Sequence, residues 1–167
     1  MQKSTFTKIP DLEFIGKFVI PKTDGKTNIK DAKDVFRLGV DEFDKLESPP
    51  CKTTPEIEVE AFLITPNKTG KMSDFFGLLG NNPKRLALTT ENQIVQFSKD
   101  NFDLWYERSL ENKNPRVLFL CNQEKPYIVY VEMYENRLGP EYYDSNNGSL
   151  WKSTEKEPII LVVPAVR

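Results

Sequence analysis

The sequence predicts a two-layer α+β domain, in which an antiparallel sheet packs against one long central helix and an N-terminal amphipathic helix. Apolar residues recur at three- and four-residue steps in two segments, which begin near Asn28 and Thr90. Short apolar runs then follow one another along residues 116–163, as expected for a C-terminal meander of antiparallel strands. Because helices and strands are segregated along the chain, a doubly wound parallel sheet is not expected. A length of 167 residues fits one domain, residues 1–167.

The first strand is predicted at residues 14–21, an apolar and β-branched run that ends at a proline. After a turn at Asp24 and Gly25, the side chain of Asn28 can cap the N-terminal amphipathic helix. The apolar stripe of this helix has the spacing of a single helical face and consists of Ile29, Ala32, Phe36, Val40 and Phe43. The Ser-Pro-Pro sequence at residues 48–50 ends the helix, because the residue before a proline disfavours the α conformation.

Strict alternation of apolar and polar residues predicts a second strand at residues 56–65. One face of this strand is apolar, with Ile57, Val59, Ala61 and Leu63. Phe62 and Ile64 lie on the other face near its end, so the strand is expected to be covered on both sides there. A short apolar helix is predicted at residues 73–79.

The long central helix is predicted to begin at Thr90, which forms a capping box with Gln93. Its broad apolar face contains Ile94, Phe97, Phe102 and Trp105. Its polar face contains Gln96, Asp100, Asp103 and Glu107. A face this broad is typical of a helix that packs across the centre of a sheet.

The remaining strands are predicted from short apolar runs with polar turns between them. Residues 116–121 and 127–134 form a hairpin, and residues 138–143, 150–153 and 158–163 continue the series. Short connections favour antiparallel neighbours, which is why a meander is expected.

Composition excludes several chemistries. The sequence contains no histidine, which is the usual general base near neutral pH and a common transition-metal ligand. Its two cysteines, Cys51 and Cys121, are too few and too far apart for a zinc site or a disulfide framework, so we expect no metal and no other cofactor. The net charge of −2 and the lack of a long apolar segment favour a cytoplasmic protein that binds no membrane.

The turn Gly25-Lys26-Thr27 lies between a predicted strand and a predicted helix, which is the context of a phosphate-binding loop. That motif requires a glycine where Ile20 stands, and Asp24 would repel a phosphate. We therefore expect a solvated turn in which Gly25 relieves backbone strain.

Carboxylates are the remaining candidates for catalysis. Glu58 and Glu60 project from one strand face, and Glu132 and Glu135 flank the end of another strand. Paired carboxylates can hold Mg²⁺ or exchange protons, so a metal-dependent hydrolase is the alternative function. Alternating glutamates on a strand are, however, also typical of a solvated face.

Lys84 and Arg85 form a compact basic loop that could contact phosphates. Few other cations accompany them, so nucleic-acid binding is not expected, although a nucleic-acid-associated accessory role remains a further alternative.

An aromatic cluster provides the preferred interpretation. Tyr142, Tyr143 and Trp151 flank a polar turn, and amphipathic rings beside such a turn are typical of protein-binding hot spots. The same rings could instead be strand residues that face the core. We expect a non-catalytic domain that binds another macromolecule, a protein, through these rings together with Lys84 and Arg85.

Overall fold

The computed structural model describes residues 12–36, 53–66, 68–71, 75, 91–122, 126–144 and 150–165. The strands are β1 (Leu12–Ile20), β2 (Ile57–Ile64), β3 (Lys68–Lys71), β4 (Arg116–Asn122), β5 (Pro126–Tyr134), β6 (Arg137–Asp144), β7 (Leu150–Ser153) and β8 (Ile159–Pro164). The helices with described bounds are α1 (Glu91–Asp100) and α2 (Asp103–Ser109), and Ile29–Asp31 form a 3₁₀ turn. The positions of the predicted strands are confirmed, and β3 is an additional strand.

The sheet is mixed, so the predicted antiparallel meander is wrong. Six strands pair in the order β1-β2-β8-β4-β5-β6, and β8 is parallel to β4 while every other neighbouring pair is antiparallel. β7 leaves this sheet and pairs with β3 in a separate two-stranded ribbon. The residues of β8 from Ile159 to Val163 are all buried, which suits a central strand covered on both faces.

Both faces of the sheet carry a hydrophobic core, so the domain has a third layer that was not predicted. Alternate residues of β4 enter opposite cores, because successive side chains on a strand point to opposite faces. The helix-side core includes Phe36, Val59, Ile94, Phe97, Trp105, Val117, Phe119, Val129, Val131, Ile160 and Val162. The ribbon-side core comprises Ile64, Phe75, Leu118, Leu120, Ile128, Tyr130, Trp151, Ile159, Leu161 and Val163.

β2 has the two faces that its alternation predicts. Val59 and Ala61 are buried in the helix-side core, and Ile57 and Leu63 pack against it. Ile64 belongs to the ribbon-side core. The period-two pattern of this segment therefore identified both faces.

The predicted N-terminal amphipathic helix is wrong over the described residues 28–36. Ile29 and Phe36 are buried, as expected. Ile29, however, lies in a 3₁₀ turn, and Phe36 forms an isolated β-bridge with Leu138 of β6. Asn28 makes no side-chain capping bond. Without that cap, and with the N–H of Ile29 bonded to the carboxylate of Glu91 on α1, the segment forms only a single 3₁₀ turn. Val40 and Phe43 lie outside the described residues.

The predicted long central helix is also wrong, because it is broken into α1 and α2. The Nδ2 of Asn101 donates to the carbonyl of Phe97 at 3.1 Å, and the N–H of Leu104 bonds the carbonyl of Asn101 with a tighter, three-residue step. Asparagine side chains compete in this way with regular helical bonding. The apolar face still forms, since Phe97 and Trp105 are buried and Phe102 packs against the helix-side core. Thr90 lies outside the described residues.

Other sequence predictions have mixed outcomes. Cys121 is buried in the helix-side core, as expected, and forms no disulfide within the described residues. Cys51 and most of residues 73–79 lie outside the described residues, although Phe75 is described and buried. No helix in the described part of the chain is long and apolar enough to span a membrane.

Candidate binding surfaces

The sheet separates the three aromatic residues predicted to form one surface. Trp151 is 2% exposed, belongs to the ribbon-side core and lies 5.6 Å from the ring of Phe75. Tyr143 is half-buried against the same core, whereas Tyr142 packs on the helix side, 5.2 Å from the ring of Tyr127. Only Tyr143 of these three is thus both partly exposed and on the ribbon-side face. Lys84 and Arg85 lie outside the described residues.

Tyr143 belongs to a group of alternating tyrosines and glutamates, which we call the tyrosine–carboxylate patch. The patch consists of Tyr130, Glu132, Tyr134, Glu141 and Tyr143. Three of these residues alternate along β5 and two alternate along β6, so all five side chains point to the ribbon-side face. Tyr130 is directly opposite Glu141 in the register of the two strands. Cross-strand neighbours of this kind are close enough to interact.

Hydrogen bonds fix both carboxylates of the patch. The hydroxyl of Tyr143 donates to Oε2 of Glu141 at 3.0 Å, and the hydroxyl of Tyr134 donates to Oε2 of Glu132. The rings of Tyr130 and Tyr143 meet edge to face, with centroids 5.6 Å apart. The side chains of the patch are therefore held by contacts with one another.

Glu132 is the unusual member of the patch, because it is a glutamate that is only 7% exposed. Burial raises the pKa of Glu132, and the neighbouring Glu141 raises it further, while the hydrogen bond from Tyr134 opposes the rise. Among the described residues the one ion pair joins Arg137 to Glu135, so Glu132 has no such partner there. Removing an anion from water without pairing it is unfavourable, and a cation placed beside Glu132 would be attracted strongly.

Arg116 borders the patch but is held elsewhere. Its guanidinium carbon lies 5.6 Å from the ring centroid of Tyr130, and its Nη2 donates to the carbonyl of Lys152 on β7. The Arg116 charge lowers the pKa of Glu132 from a distance, as one of the smaller influences on that carboxyl. Arg116 therefore does not form an ion pair with Glu132.

The other candidate residues do not assemble into a site in the described structure. Glu58 is exposed on β2 and Glu60 is half-buried beside it. Glu135 lies in the β5–β6 turn, away from the strand face that carries Glu132. Within the described ranges, no group of three or more His, Cys, Asp or Glu side chains could hold a metal ion.

The turn at Gly25 has the structure expected of a solvated turn. Gly25 has a φ of 74°, which favours glycine, and the N–H of Lys26 donates to Oδ1 of Asp24 at 2.9 Å. A turn closed by its own aspartate differs from a loop whose free amides surround a phosphate.

Sequence reasoning did not identify the patch as a unit. It considered Glu132 with Glu135 as an acidic pair, and it considered Tyr143 with Tyr142 and Trp151 as an aromatic group. The available signal was the alternation Tyr130-x-Glu132-x-Tyr134, which places all three on one strand face.

Comparisons of the chain with protein-family models, with curated proteins and with solved structures find no match.

Proposed function

We propose that this chain is a protein-binding domain that receives a basic segment of its partner on the tyrosine–carboxylate patch. The single observation that carries the proposal is Glu132, a nearly buried carboxylate without an ion-pair partner among the described residues. A lysine or arginine of a partner would provide the missing positive charge. Charge-assisted hydrogen bonds of this type are the stronger ones in proteins.

The tyrosines of the patch support a protein as the partner. Tyr134 is 48% exposed and Tyr143 is partly exposed, so both rings have surface left to bury. Tyrosine offers a large contact area with little loss of side-chain freedom, and a cation stacks favourably on its ring. An arginine could thus contact a ring with its stem and a carboxylate with its guanidinium.

We propose a basic partner because Glu132 and Glu141 lie on the same face of the sheet. Tyr143 orients Glu141 and Tyr134 orients Glu132, so the acceptor oxygens are held in place before binding. Preorganised acceptors lose less conformational freedom when the complex forms.

The test uses two synthetic peptides with the same uncharged Gly-Ser background. One peptide carries a pair of arginines separated by one residue, and its control carries glutamines at those positions. Binding is measured by fluorescence anisotropy with the wild type, with Glu132→Gln and with Glu155→Gln, which alters an exposed glutamate in the turn between β7 and β8. We expect the arginine peptide to bind the wild type and Glu155→Gln, and Glu132→Gln to weaken this binding by at least about tenfold.

Equal affinities for the two peptides would overturn the proposal, as would equal affinities of the wild type and Glu132→Gln. Circular dichroism of each variant verifies that its fold is retained. Rising ionic strength should weaken the specific binding, because salt screens the charges that form it.

A further inference from the structure

A polar cleft of about 310 Å³ lies on the helix side of the domain, between residues 22–35 and α1. We call it the α1 cleft. Thr23, Asp34 and Val35 line it from the loop, and Asn92, Val95 and Lys99 line it from the helix. A volume of this size is at the small end of the range for ligand pockets and suits one small molecule.

Buried hydrogen bonds join the loop to α1, α1 to β5, and the loop to the segment before β2. Oε1 of Glu91 accepts from the N–H of Ile29 at 3.1 Å, and Oε2 accepts from the hydroxyl of Tyr127 at 3.1 Å. The hydroxyls of Thr23 and Thr54 are bonded to each other. These bonds therefore connect the two walls of the cleft to each other and to the sheet.

The burial and hydrogen bonding of Asn92 suggest that the cleft binds a ligand. It is 4% exposed, and neither its Nδ2 nor its Oδ1 has a hydrogen-bond partner among the described residues. Buried side-chain amides almost always have hydrogen-bond partners. Burial removes their hydrogen bonds to water, and an amide without a replacement partner costs free energy. A carboxamide that lines a cleft with its donor and its acceptor both unused is suited to a ligand that offers the complementary pair.

The charged side chains around the cleft constrain that ligand further. Lys22 and Lys99 are matched by Asp24 and Asp34, and none of the four is in an ion pair within the described residues. Equal numbers of both signs favour a ligand without net charge. Val35 and Val95 provide the apolar wall against which a flat or aliphatic part of the ligand can pack.

We propose that the α1 cleft binds a small uncharged or zwitterionic molecule through an amide-like edge that pairs with both Nδ2 and Oδ1 of Asn92. Such an edge places an N–H donor next to a carbonyl or ring-nitrogen acceptor. It occurs in primary carboxamides such as the side chain of glutamine, and in nucleobases such as adenine, which asparagine contacts in this bidentate way. The cleft lies on the opposite face of the sheet from the tyrosine–carboxylate patch, so this proposal does not depend on the proposed function.

The first experiment observes Asn92 itself. The side-chain NH₂ resonances of Asn92 are followed by ¹H–¹⁵N NMR while L-glutamine or adenosine is added at millimolar concentration. L-methionine and purine riboside serve as controls, since methionine lacks the side-chain amide of glutamine at the same net charge and purine riboside lacks the exocyclic amino group of adenosine. We expect glutamine or adenosine to shift these resonances and its control to leave them unchanged, and the responding probe distinguishes a carboxamide from a nucleobase.

The second experiment removes the amide. Asn92→Leu has a similar volume and no polar atoms, so we expect it to raise the Tm of the ligand-free protein and to abolish the Tm increase given by the responding probe. Asn114→Leu is the matched control, because Asn114 lies at the far end of β4 from the cleft, and it should retain the ligand-induced increase.

The proposal is overturned if neither glutamine nor adenosine moves the Asn92 resonances. It is also overturned if Asn92→Leu responds to the probe as the wild type does. The NMR titration needs no variant, so a poorly folded Asn92→Leu protein would not remove the test.

Discussion

The hydroxyl of Tyr127 on β5 donates a hydrogen bond to the carboxylate of Glu91 in the first turn of α1, at 3.1 Å. This bond crosses from the sheet to the helix layer through the helix-side core. Glu91 in turn accepts from Ile29, so one buried carboxylate joins three separate segments of the chain.

Burial of Glu91 makes stability depend on pH. Desolvation raises its pKa above the ordinary value of 4.5, although the two hydrogen bonds oppose the rise. The folded protein then holds a proton that the unfolded chain has lost, so the free energy of unfolding falls as the pH rises through the interval between the two pKa values. Glu132, whose pKa is also raised by burial, contributes with the same sign.

We therefore expect these two groups to make the wild type more stable as the pH is lowered toward 4.5, the ordinary pKa of a glutamate. Urea melts at several pH values measure this slope. Glu91→Gln and Glu132→Gln should each flatten it, and an unchanged slope in both variants would contradict the assignment.

Phe97 should be a major stabilising residue of the helix-side core. Its ring lies 5.4 Å from Phe18, 6.4 Å from Trp105 and 5.3 Å from Phe119, in edge-to-face contacts. Phe97→Ala is expected to lower the free energy of unfolding by about 3 to 5 kcal/mol. Phe14→Ala is the control in a urea melt, since Phe14 is 51% exposed and its loss should have a much smaller effect. Equal losses would show that the core contacts of Phe97 contribute little.

Gly70 of β3 permits the close approach of Trp151. A Cβ at this position would lie 2.7 Å from the indole ring, so one of the two must move. Gly70→Ala should destabilise the protein by roughly 1 to 3 kcal/mol. At Gly16 an added Cβ would meet Phe18 at an ordinary 3.5 Å, so Gly16→Ala should be tolerated. Thermal melts of the two alanine variants compare them directly, and the reverse order of stability would contradict this packing.

Alanine variants of Trp151 and Tyr134 should differ in whether they mainly lower stability or mainly lower peptide affinity. Trp151→Ala removes a ring of the ribbon-side core and is expected to reduce stability by about 3 to 5 kcal/mol. Tyr134→Ala removes a half-exposed ring together with the hydrogen bond to Glu132, so the stability loss should be smaller, about 1 to 2 kcal/mol. The Tyr134 variant should nevertheless lose affinity for the arginine peptide, which anisotropy measures beside a urea melt. Unchanged affinity would remove Tyr134 from the binding surface.

The sequence was informative where a pattern depends on one element alone. The alternation in β2 identified its two faces, since a strand points successive residues in opposite directions. The same pattern does not identify a strand's neighbours. The apolar run at residues 158–163 predicted the strand β8, but its place between β2 and β4 depends on pairing with distant segments.

Two elements were predicted incorrectly or missed for local reasons. The helical spacing of apolar residues continues through Asn101, so the pattern gave no sign of the break between α1 and α2. β3 has the sequence Lys-Thr-Gly-Lys, which carries no apolar side chain, and its pairing with β7 depends on the fit of Gly70 to Trp151. The patch escaped prediction because the burial of Glu132 depends on packing around β5 that a single-strand pattern does not show.

The central position of β8 has a consequence for biosynthesis. β1 and β2 form one antiparallel pair, β4, β5 and β6 form another antiparallel unit, and β8 provides the hydrogen-bonded connection between them. A ribosome produces β8 after every other described strand. The two units can therefore fold early as the chain emerges, but they remain unjoined, with exposed sheet edges, until β8 has left the exit tunnel and entered between them.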